Sequence, residues 1–111
     1  MNPFSPFRQI GSLVALSGQV GTGDGGLMAG GFDAELRQAL LNLGKLLDEA
    51  GLSRSQVIKT NVYLVDIADW ERLNQPYVEF FGEQLPARTA LAVAALPRGA
   101  RVEIEAWAVA S

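Results

Sequence analysis

Residues 33–50 read DAELRQALLNLGKLLDEA and carry the clearest periodicity in the chain. Their leucines recur every three or four residues, which places them on one stripe of an α-helix. The stripe consists of Leu36, Leu40, Leu43 and Leu47. Asp33 is a suitable N-cap, and Gly51 stands where helices commonly end in a left-handed residue. The pattern predicts an amphipathic helix over residues 33–50.

A second helix is predicted from Asp66 to about Phe81. Asp66 is its expected N-cap, with Asp69 three residues on in a box-like arrangement. Pro76 lies inside the pattern and predicts a kink or a short break, because proline lacks a backbone N–H and clashes with the preceding turn. The residues expected to be buried are Trp70, Leu73, Tyr77 and Phe80 or Phe81.

Segments with strand character lie on both sides of each helix. They cover residues 4–10, 13–17, 57–65, 88–93 and 101–109. The first two are predicted to form a hairpin, and the last two are predicted to form another through residues 96–100. The order β-β-α-β-α-β-β predicts an α+β fold with two helices on one face of a mixed sheet.

The two faces of the predicted sheet differ in character. The helix-facing set is apolar and comprises Ile58, Val62, Leu64, Leu91, Val93, Val102 and Ile104. The opposite set mixes charges, aromatic rings and small residues: Lys59, Asn61, Tyr63, Arg88, Ala90, Ala92, Arg101, Glu103, Glu105 and Trp107. Such a face suits a partly wet interface between copies of the chain, so we expect a homo-oligomer. The alternative is the solvated face of a monomer.

The composition excludes several kinds of chemistry. The 111 residues are the size of one domain, over residues 1–111, and 9 Lys and Arg against 12 Asp and Glu give a net charge of −3. The absence of histidine and cysteine rules out the usual zinc sites, disulfides and Cys-His or Ser-His-Asp nucleophiles. No metal is therefore expected. The acidic balance argues against nucleic acid as a partner.

The sequence gives no sign of a targeting or membrane segment. Its start lacks a basic region followed by an apolar core, and no apolar run approaches about 18 residues. We therefore expect no membrane partner and a cytoplasmic location.

A glycine-rich stretch follows the first predicted hairpin. Residues 21–26, GTGDGG, match the pattern G-x-G-x-x-G of dinucleotide-binding proteins. That fingerprint also needs a helix that opens directly on the last glycine, and residues 27–31 intervene here. The stretch is better interpreted as a mobile turn, for which glycine supplies positive φ angles.

Arg88 is the first candidate binding residue. It follows Pro86-Ala87 and is predicted to share a face with the small residues Ala90 and Ala92, which leave a recess beside it. A guanidinium group binds a carboxylate through two parallel hydrogen bonds, so Arg88 is a candidate carboxylate-binding residue. The alternative is a structural ion pair with Glu103 or Glu105.

Glu103 and Glu105 are candidate acid or base residues, because two carboxylates on one face raise each other's pKa. The alternative is a solvated strand edge. In a tight hairpin about Pro97, Arg88 would pair near Trp107, roughly 13 Å along the strand from Glu103. A site that uses both Arg88 and Glu103 would then form more easily between two subunits than within one.

Several motifs together resemble the RidA/YjgF family of imine and enamine deaminases. They are Ser17-Gly18-Gln19, Val57-Ile58-Lys59-Thr60, Asn74 with Tyr77 and Phe80-Phe81, Pro86-Ala87-Arg88-Thr89, Leu96-Pro97 and Val102-Glu103-Ile104-Glu105-Ala106. The resemblance implies a chorismate-mutase-like fold and a homotrimer with active sites in clefts between subunits. It also implies hydrolysis of 2-imino or 2-enamino acids, such as 2-aminoacrylate, to 2-oxo acids and ammonia, without a cofactor.

The resemblance also implies roles for individual residues. Arg88 would bind the substrate carboxylate and Glu103 would position the attacking water. The residues that would line the cleft are Ser17, the Gly18 backbone, Asn74 and Phe4. The family commonly has Gly-Pro-Tyr near the N-terminus, whereas this chain has Asn2-Pro3-Phe4 and lacks the tyrosine hydroxyl.

Other functions stay open at this point. One is a trimer that binds a small carboxylic acid without turnover. Another is the ribonuclease or translation-inhibitor activity attributed to some relatives, against which the acidic charge and the lack of histidine argue. A third is an interaction protein whose exposed face docks another polypeptide.

Overall fold

The computed structural model describes residues 2–111. Two helices and five longer strands account for most of the chain. The elements are β1 (Phe7–Ile10), β2 (Leu13–Val20), β3 (Thr22–Gly23), β4 (Gly26–Leu27), α1 (Phe32–Glu49), β5 (Val57–Leu64), α2 (Trp70–Phe81), β6 (Ala87–Ala92) and β7 (Val102–Val109). Short 3₁₀ turns precede β5, α2 and β7.

The longer strands form one mixed sheet in the order β1-β2-β7-β5-β6. The β5 and β6 pair is parallel, and the other neighbours are antiparallel. Helix α1 packs on β2 and β7 and against α2. The apolar residues of both helices join those of one sheet face in a single core. This arrangement confirms the predicted α+β fold with two helices on one face of a mixed sheet.

The leucine stripe of α1 behaves as its spacing predicts. Leu36, Leu40, Leu43 and Leu47 are all buried. The helix starts one residue earlier than predicted, at Phe32. Gly31 occupies the N-cap position with φ 82°, and no side chain caps the helix. Asp33 therefore lies in the first turn, and its prediction as N-cap is wrong.

The second helix begins later than predicted and is not interrupted. The Asp66 side chain accepts a hydrogen bond from the Ala68 N–H at 3.0 Å, which caps the 3₁₀ turn before α2. Pro76 lies inside α2, which runs unbroken from Trp70 to Phe81, so the predicted break is wrong. Buried residues on either side of the proline, Leu73 and Tyr77, anchor both halves of the helix to the core.

The predicted hairpin of the last two strands is wrong. β6 pairs in parallel with β5 at the edge of the sheet, and β7 lies on the other side of β5, next to β2. The segment β5-α2-β6 is thus a crossover unit, which parallel strands require. Arg88 pairs with Thr60 of β5 and does not lie near Trp107.

This pairing also reverses the predicted faces of β6. Arg88 and Ala90 lie opposite Thr60 and Val62, which are buried under the helices. Arg88, Ala90 and Ala92 therefore belong to the helix side, while Leu91 points to the opposite, open face and is 41% exposed. Ile58 is also half-exposed, since an irregularity between Val57 and Lys59 shifts the alternation of β5.

Arg101 does not belong to the open face either. Its backbone N–H donates to Glu35 Oε1 at 2.7 Å, and its Nη1 donates to Glu35 Oε2 at 2.6 Å. The Glu35 side chain is fully buried in α1, whereas that of Arg101 is half-exposed. The pair ties α1 to the residue just before β7.

The glycine-rich stretch forms a small hairpin, as its interpretation as a turn predicts. β3 and β4 pair across Asp24 and Gly25. The Asn42 Nδ2 group of α1 donates to the carbonyls of Val20 and Thr22 at 3.0 and 2.9 Å, which holds the hairpin against the helix.

Within residues 2–111, no helix has both the length and the apolar composition that a bilayer span requires.

Candidate active site

Arg88 lies at the β6 edge of the sheet, beneath α2. Its Nη2 donates to Asn74 Oδ1 at 2.8 Å. The guanidinium carbon lies 5.2 Å from the Trp70 ring centroid and 4.9 Å from the Tyr77 ring centroid. One amide and two aromatic rings of the same helix therefore hold the guanidinium group in place. We call these four residues the Arg88 pocket.

The positive charge of Arg88 has no ion-pair partner in the part of the chain that the structure describes. Among residues 2–111, no carboxylate lies within 4.0 Å of its guanidinium nitrogens. The alternative of an ion pair with Glu103 or Glu105 is therefore wrong. A partly buried guanidinium group with one neutral partner retains donors for an incoming carboxylate.

Tyr77 forms the inner wall of the Arg88 pocket. Its hydroxyl shares a hydrogen bond of 2.6 Å with Thr60 Oγ1. Burial raises the pKa of Tyr77, while the bond to Thr60 and the charge of Arg88 oppose that rise. The phenol thus stays neutral and does not compete with a ligand carboxylate for Arg88.

A second group of predicted residues meets on the open face. Phe4, Ser17, Gly18 and Glu103 all line one cleft of about 570 Å³. The other lining residues are Asn2, Gln19, Val20, Thr22, Pro97 and Arg98. We call this the Glu103 cleft. It combines the N-terminal segment, an irregularity of β2 between Leu16 and Gln19, and the turn before β7.

Backbone packing brings Glu103 against β2. A Cβ atom at Gly18 would lie 2.8 Å from Glu103 Oε2, closer than real contacts allow, so only glycine leaves room for this carboxylate. Ser17 Oγ donates to the Ser5 carbonyl at 2.7 Å and fastens the segment that carries Phe4. Ser17 therefore has a structural bond in addition to its place in the cleft.

The two glutamates of β7 have different surroundings. Burial raises the pKa of Glu103, and the charge of Glu105 adds to that rise. Glu105 accepts a hydrogen bond from the Tyr63 hydroxyl. This bond, together with burial and the two negative charges, raises the pKa of Tyr63 to about 12. Glu103 is thus a carboxylate of raised pKa that faces the cleft, while Glu105 accepts the Tyr63 hydrogen bond.

Three contributors to these sites were missed by the sequence analysis. Trp70 and Tyr77 lie seven residues apart with Asn74 between them, a spacing that places all three on one helix face, and this was an available signal. Tyr63 pairs with Glu103 in the sheet, which only the strand register reveals.

Among residues 2–111, no group of His, Cys, Asp and Glu is arranged to hold a metal ion.

The Arg88 pocket and the Glu103 cleft do not meet within one chain. Arg88 pairs with Thr60, and Glu103 pairs with Tyr63 on the other side of β5. Two strand spacings and three residues of register separate their Cα atoms by roughly 14 Å. Their side chains also leave opposite faces of the sheet. The residues that the resemblance assigns to one site therefore lie in two separate places of this chain.

Exposed apolar side chains cross the open face at one end. Ile10, Leu13 and Val109 are neighbours in the register of β1, β2 and β7, and Trp107 lies two residues from Val109. Their exposed fractions are 71%, 46%, 39% and 39%. We call these four residues the open-face patch. Contiguous exposed apolar surface of this kind marks interaction sites.

The fold, the Arg88 pocket and the Glu103 cleft define a class of protein: a two-layer α+β domain with a cationic pocket at the sheet edge and a carboxylate in a cleft on the open face. The model of the family described as endoribonuclease L-PSP matches residues 1–110. The chain belongs to this family, which is the RidA/YjgF family that its motifs resemble.

Individual relatives are similar over nearly the whole chain. A mouse protein named 2-iminobutanoate/2-iminopropanoate deaminase is 47% identical over an alignment that covers 98% of this chain and 82% of that protein. The structure of RidA from Psychrobacter sp. PAMC 21119 has a TM-score of 0.91 and 37% identity, covering 97% of this chain and 89% of that one. The structure of Escherichia coli TdcF with bound serine has a TM-score of 0.91 and 34% identity, covering 100% and 91%.

Proposed function

We propose that this chain hydrolyses reactive 2-imino and 2-enamino acids, such as 2-aminoacrylate, to 2-oxo acids and ammonia without a cofactor. The observation that carries the proposal is the Arg88 guanidinium, which Asn74 and two rings hold in place and which has no carboxylate partner among residues 2–111. The mouse relative named 2-iminobutanoate/2-iminopropanoate deaminase supports the choice of substrate class.

The substrate supplies its own electrophile, so the protein needs only to bind and orient it. Arg88 binds the carboxylate of the protonated imine through two hydrogen bonds, and the Trp70 and Tyr77 rings flank it. Glu103 accepts a proton from a water molecule as the water oxygen bonds to the imine carbon. Glu103 returns this proton to the nitrogen of the resulting carbinolamine, and ammonia leaves as the carbinolamine hydroxyl gives its own proton back to Glu103, which yields the 2-oxo acid. Orientation alone contributes up to about 7–11 kcal/mol in favourable cases.

The residues of the cleft divide the remaining tasks. The backbone of Gly18 and the hydroxyl of Ser17 line the space beside Glu103, and Phe4 supplies an apolar wall. Asn74 acts through Arg88 by accepting its Nη2–H at 2.8 Å. The raised pKa of Glu103 makes it a stronger base than an exposed glutamate.

We further propose that residues 1–111 form a single domain that assembles as a homotrimer, with each active site between two subunits. Two observations support an assembly in which the site lies between copies of the chain. The Arg88 pocket and the Glu103 cleft lie on opposite faces of one sheet, so two copies are needed to bring them together. The open-face patch offers apolar surface that a second copy would cover.

A coupled assay tests the deaminase proposal. An amino-acid oxidase generates the imine in situ, and imine loss is followed together with ammonia and 2-oxo acid. Wild type should accelerate imine loss above the spontaneous rate, and Arg88→Ala should return it to that rate. Arg37→Ala removes an exposed arginine of α1 and serves as the matched control. Full activity of Arg88→Ala would contradict the assignment.

A non-catalytic carboxylate-binding trimer is the second candidate, and Phe4 favours it. The side chain at this position of the cleft has no hydroxyl to assist the reaction, whereas binding needs only the Arg88 pocket. Thermal stabilisation by 2-oxobutanoate without acceleration of imine loss would support this candidate over the deaminase. A ribonuclease is disfavoured by the net charge of −3 and by the lack of histidine in the sequence.

A further inference from the structure

Arg98 has an unusual backbone conformation. It lies in the 3₁₀ turn Pro97–Gly99 with φ 62° and ψ 16°. Among residues 2–111 it is the only non-glycine residue with a positive φ. This conformation strains most L-residues and is cheaper for glycine or asparagine. The backbone thus gives no reason for arginine here, and backbone strain of this kind clusters at functional sites.

The side chain of Arg98 lines the Glu103 cleft. No carboxylate among residues 2–111 lies within 4.0 Å of its guanidinium nitrogens, Glu103 included. Pro97 restricts the backbone before it, and the Ala100 N–H donates to the Pro97 carbonyl at 3.1 Å, which closes the turn; Gly99 supplies the φ of 72° that the turn needs. Arg98 is exposed at this cleft, and its positive charge has no ion-pair partner among residues 2–111.

In the single chain, before a second copy covers it, the cleft is also larger than a short imino acid requires. Its volume of about 570 Å³ lies within the range of roughly 300–1,000 Å³ in which pockets enclose whole drug-sized ligands. The name of the mouse relative refers to imines of propanoate and butanoate, whose short uncharged side chains need no second cation. A longer side chain with an acidic end would fill more of this space and reach a cation at its rim.

We infer that Arg98 is a second carboxylate-binding residue, which lets this cleft accept imino acids that carry an acidic side chain. The inference rests on the proposed function and names a further substrate class for the same site. Arg88 of one copy binds the carboxylate beside the imine, and Arg98 of the neighbouring copy binds the distal carboxylate. Its charge also offsets the repulsion that Glu103 exerts on a second anionic group.

Three substitutions separate the charge of Arg98 from its backbone conformation. Arg98→Gly and Arg98→Asn both tolerate a positive φ and remove the charge, while Arg98→Lys keeps the charge. Imines are generated in situ by oxidases from glutamate and from alanine. We expect kcat/KM for the glutamate-derived imine to fall by about ten-fold or more in the Gly and Asn variants, mainly through KM. The alanine-derived imine should change by less than about two-fold, and Arg98→Lys should retain most activity with both.

Equal changes for the two imines would overturn the inference, as would no change for either. A binding experiment makes failure of the inference distinguishable from failure of the proposed function. Wild type and Arg98→Asn are titrated by calorimetry with 2-oxoglutarate and with 2-oxobutanoate, which need no turnover. Selective loss of 2-oxoglutarate affinity supports the role of Arg98 even if no imine is hydrolysed. Equal affinities of the two proteins for 2-oxoglutarate overturn it, even if wild type is an active deaminase.

Discussion

The Arg88 pocket and the Glu103 cleft hold their charged groups in different ways. Arg88 is fixed by side chains of one helix: an amide oxygen and two aromatic rings. The Glu103 carboxylate instead occupies space that the main chain leaves open, because Gly18 in an irregular stretch of β2 carries no Cβ atom. Under the proposed function, substrate binding therefore depends on α2, whereas the placement of water depends on the path of the main chain. Substitutions should therefore separate the two functions.

The largest effect is expected from removal of the cation in the Arg88 pocket. Arg88→Ala should abolish binding of 2-oxobutanoate and lower kcat/KM by about 100-fold or more, since the charged anchor is lost from a partly buried site. Calorimetry and the coupled assay measure the two effects. Arg88→Lys keeps the charge without the planar fork and should recover only part of each. Equal activity of the Ala and Lys variants would show that charge at this position is irrelevant.

A methyl group added at Gly18 should move the Glu103 carboxylate and leave the Arg88 pocket unchanged. In Gly18→Ala, the new methyl group would displace the Glu103 carboxylate, so kcat should fall by roughly 10-fold or more with little change in the affinity for 2-oxobutanoate. Gly25→Ala is the matched control, because its Cβ would meet no atom within 4 Å. A loss of affinity equal to the loss of kcat would contradict the separation of the Arg88 pocket from the Glu103 cleft.

Asn74 tests how far the Arg88 pocket depends on its neutral partner. Asn74→Ala removes the acceptor at 2.8 Å and should raise KM by about five-fold. Asn74→Asp should do more harm, since it places a carboxylate beside Arg88 that competes with the ligand. Kinetics of both variants over a range of substrate concentrations measure KM and kcat separately. Better binding by Asn74→Asp than by Asn74→Ala would refute the role of an unneutralised Arg88.

The smallest effect is expected from Tyr63, and it should be seen in the pH profile. The proposed reaction uses ionised Glu103, whose pKa is raised, so activity should fall as the pH drops through a value above that of an ordinary glutamate. Tyr63→Phe removes the hydrogen bond that the hydroxyl donates to Glu105. The negative charge of Glu105 is then less shielded and raises the pKa of Glu103 further. Other charges near the cleft, Arg98 and Arg8, are unchanged. The acidic limb should therefore shift to higher pH, with less than about a two-fold change at neutral pH. A shift to lower pH would contradict this coupling.

Local sequence patterns predicted the two helices and the five longer strands. The predicted pairing of β6 with β7 was wrong, because it involves segments that are not set by local periodicity. The leucine spacing of α1 needs no knowledge of the rest of the chain, because helical periodicity is a property of neighbouring residues. The placement of β6 depended on a choice between a hairpin with β7 and a crossover from β5. That choice also decided on which face Arg88 lies. The parallel pairing of Arg88 with Thr60 then placed the arginine beneath α2.

Sequence motifs predicted which residues belong to the candidate site. They did not predict which groups those residues contact. Motif resemblance selected Phe4, Ser17, Gly18 and Glu103, and the structure brings these four together in one cleft. The environment of Arg88 could be read only after the faces of β6 were known. The bond from Tyr63 to Glu105 could not be predicted, because it depends on a strand register that an irregularity at Val57 shifts.

The ion pair of Glu35 and Arg101 restricts which residues these two positions can carry in related chains. Loss of the Arg101 side chain alone would leave a fully buried carboxylate with only a backbone N–H as its partner and would destabilise the fold, while replacing both residues of such a pair by apolar ones is often neutral. The two positions lie 66 residues apart. In homologous chains we therefore expect them to change together, so that an uncharged residue at one is accompanied by an uncharged residue at the other.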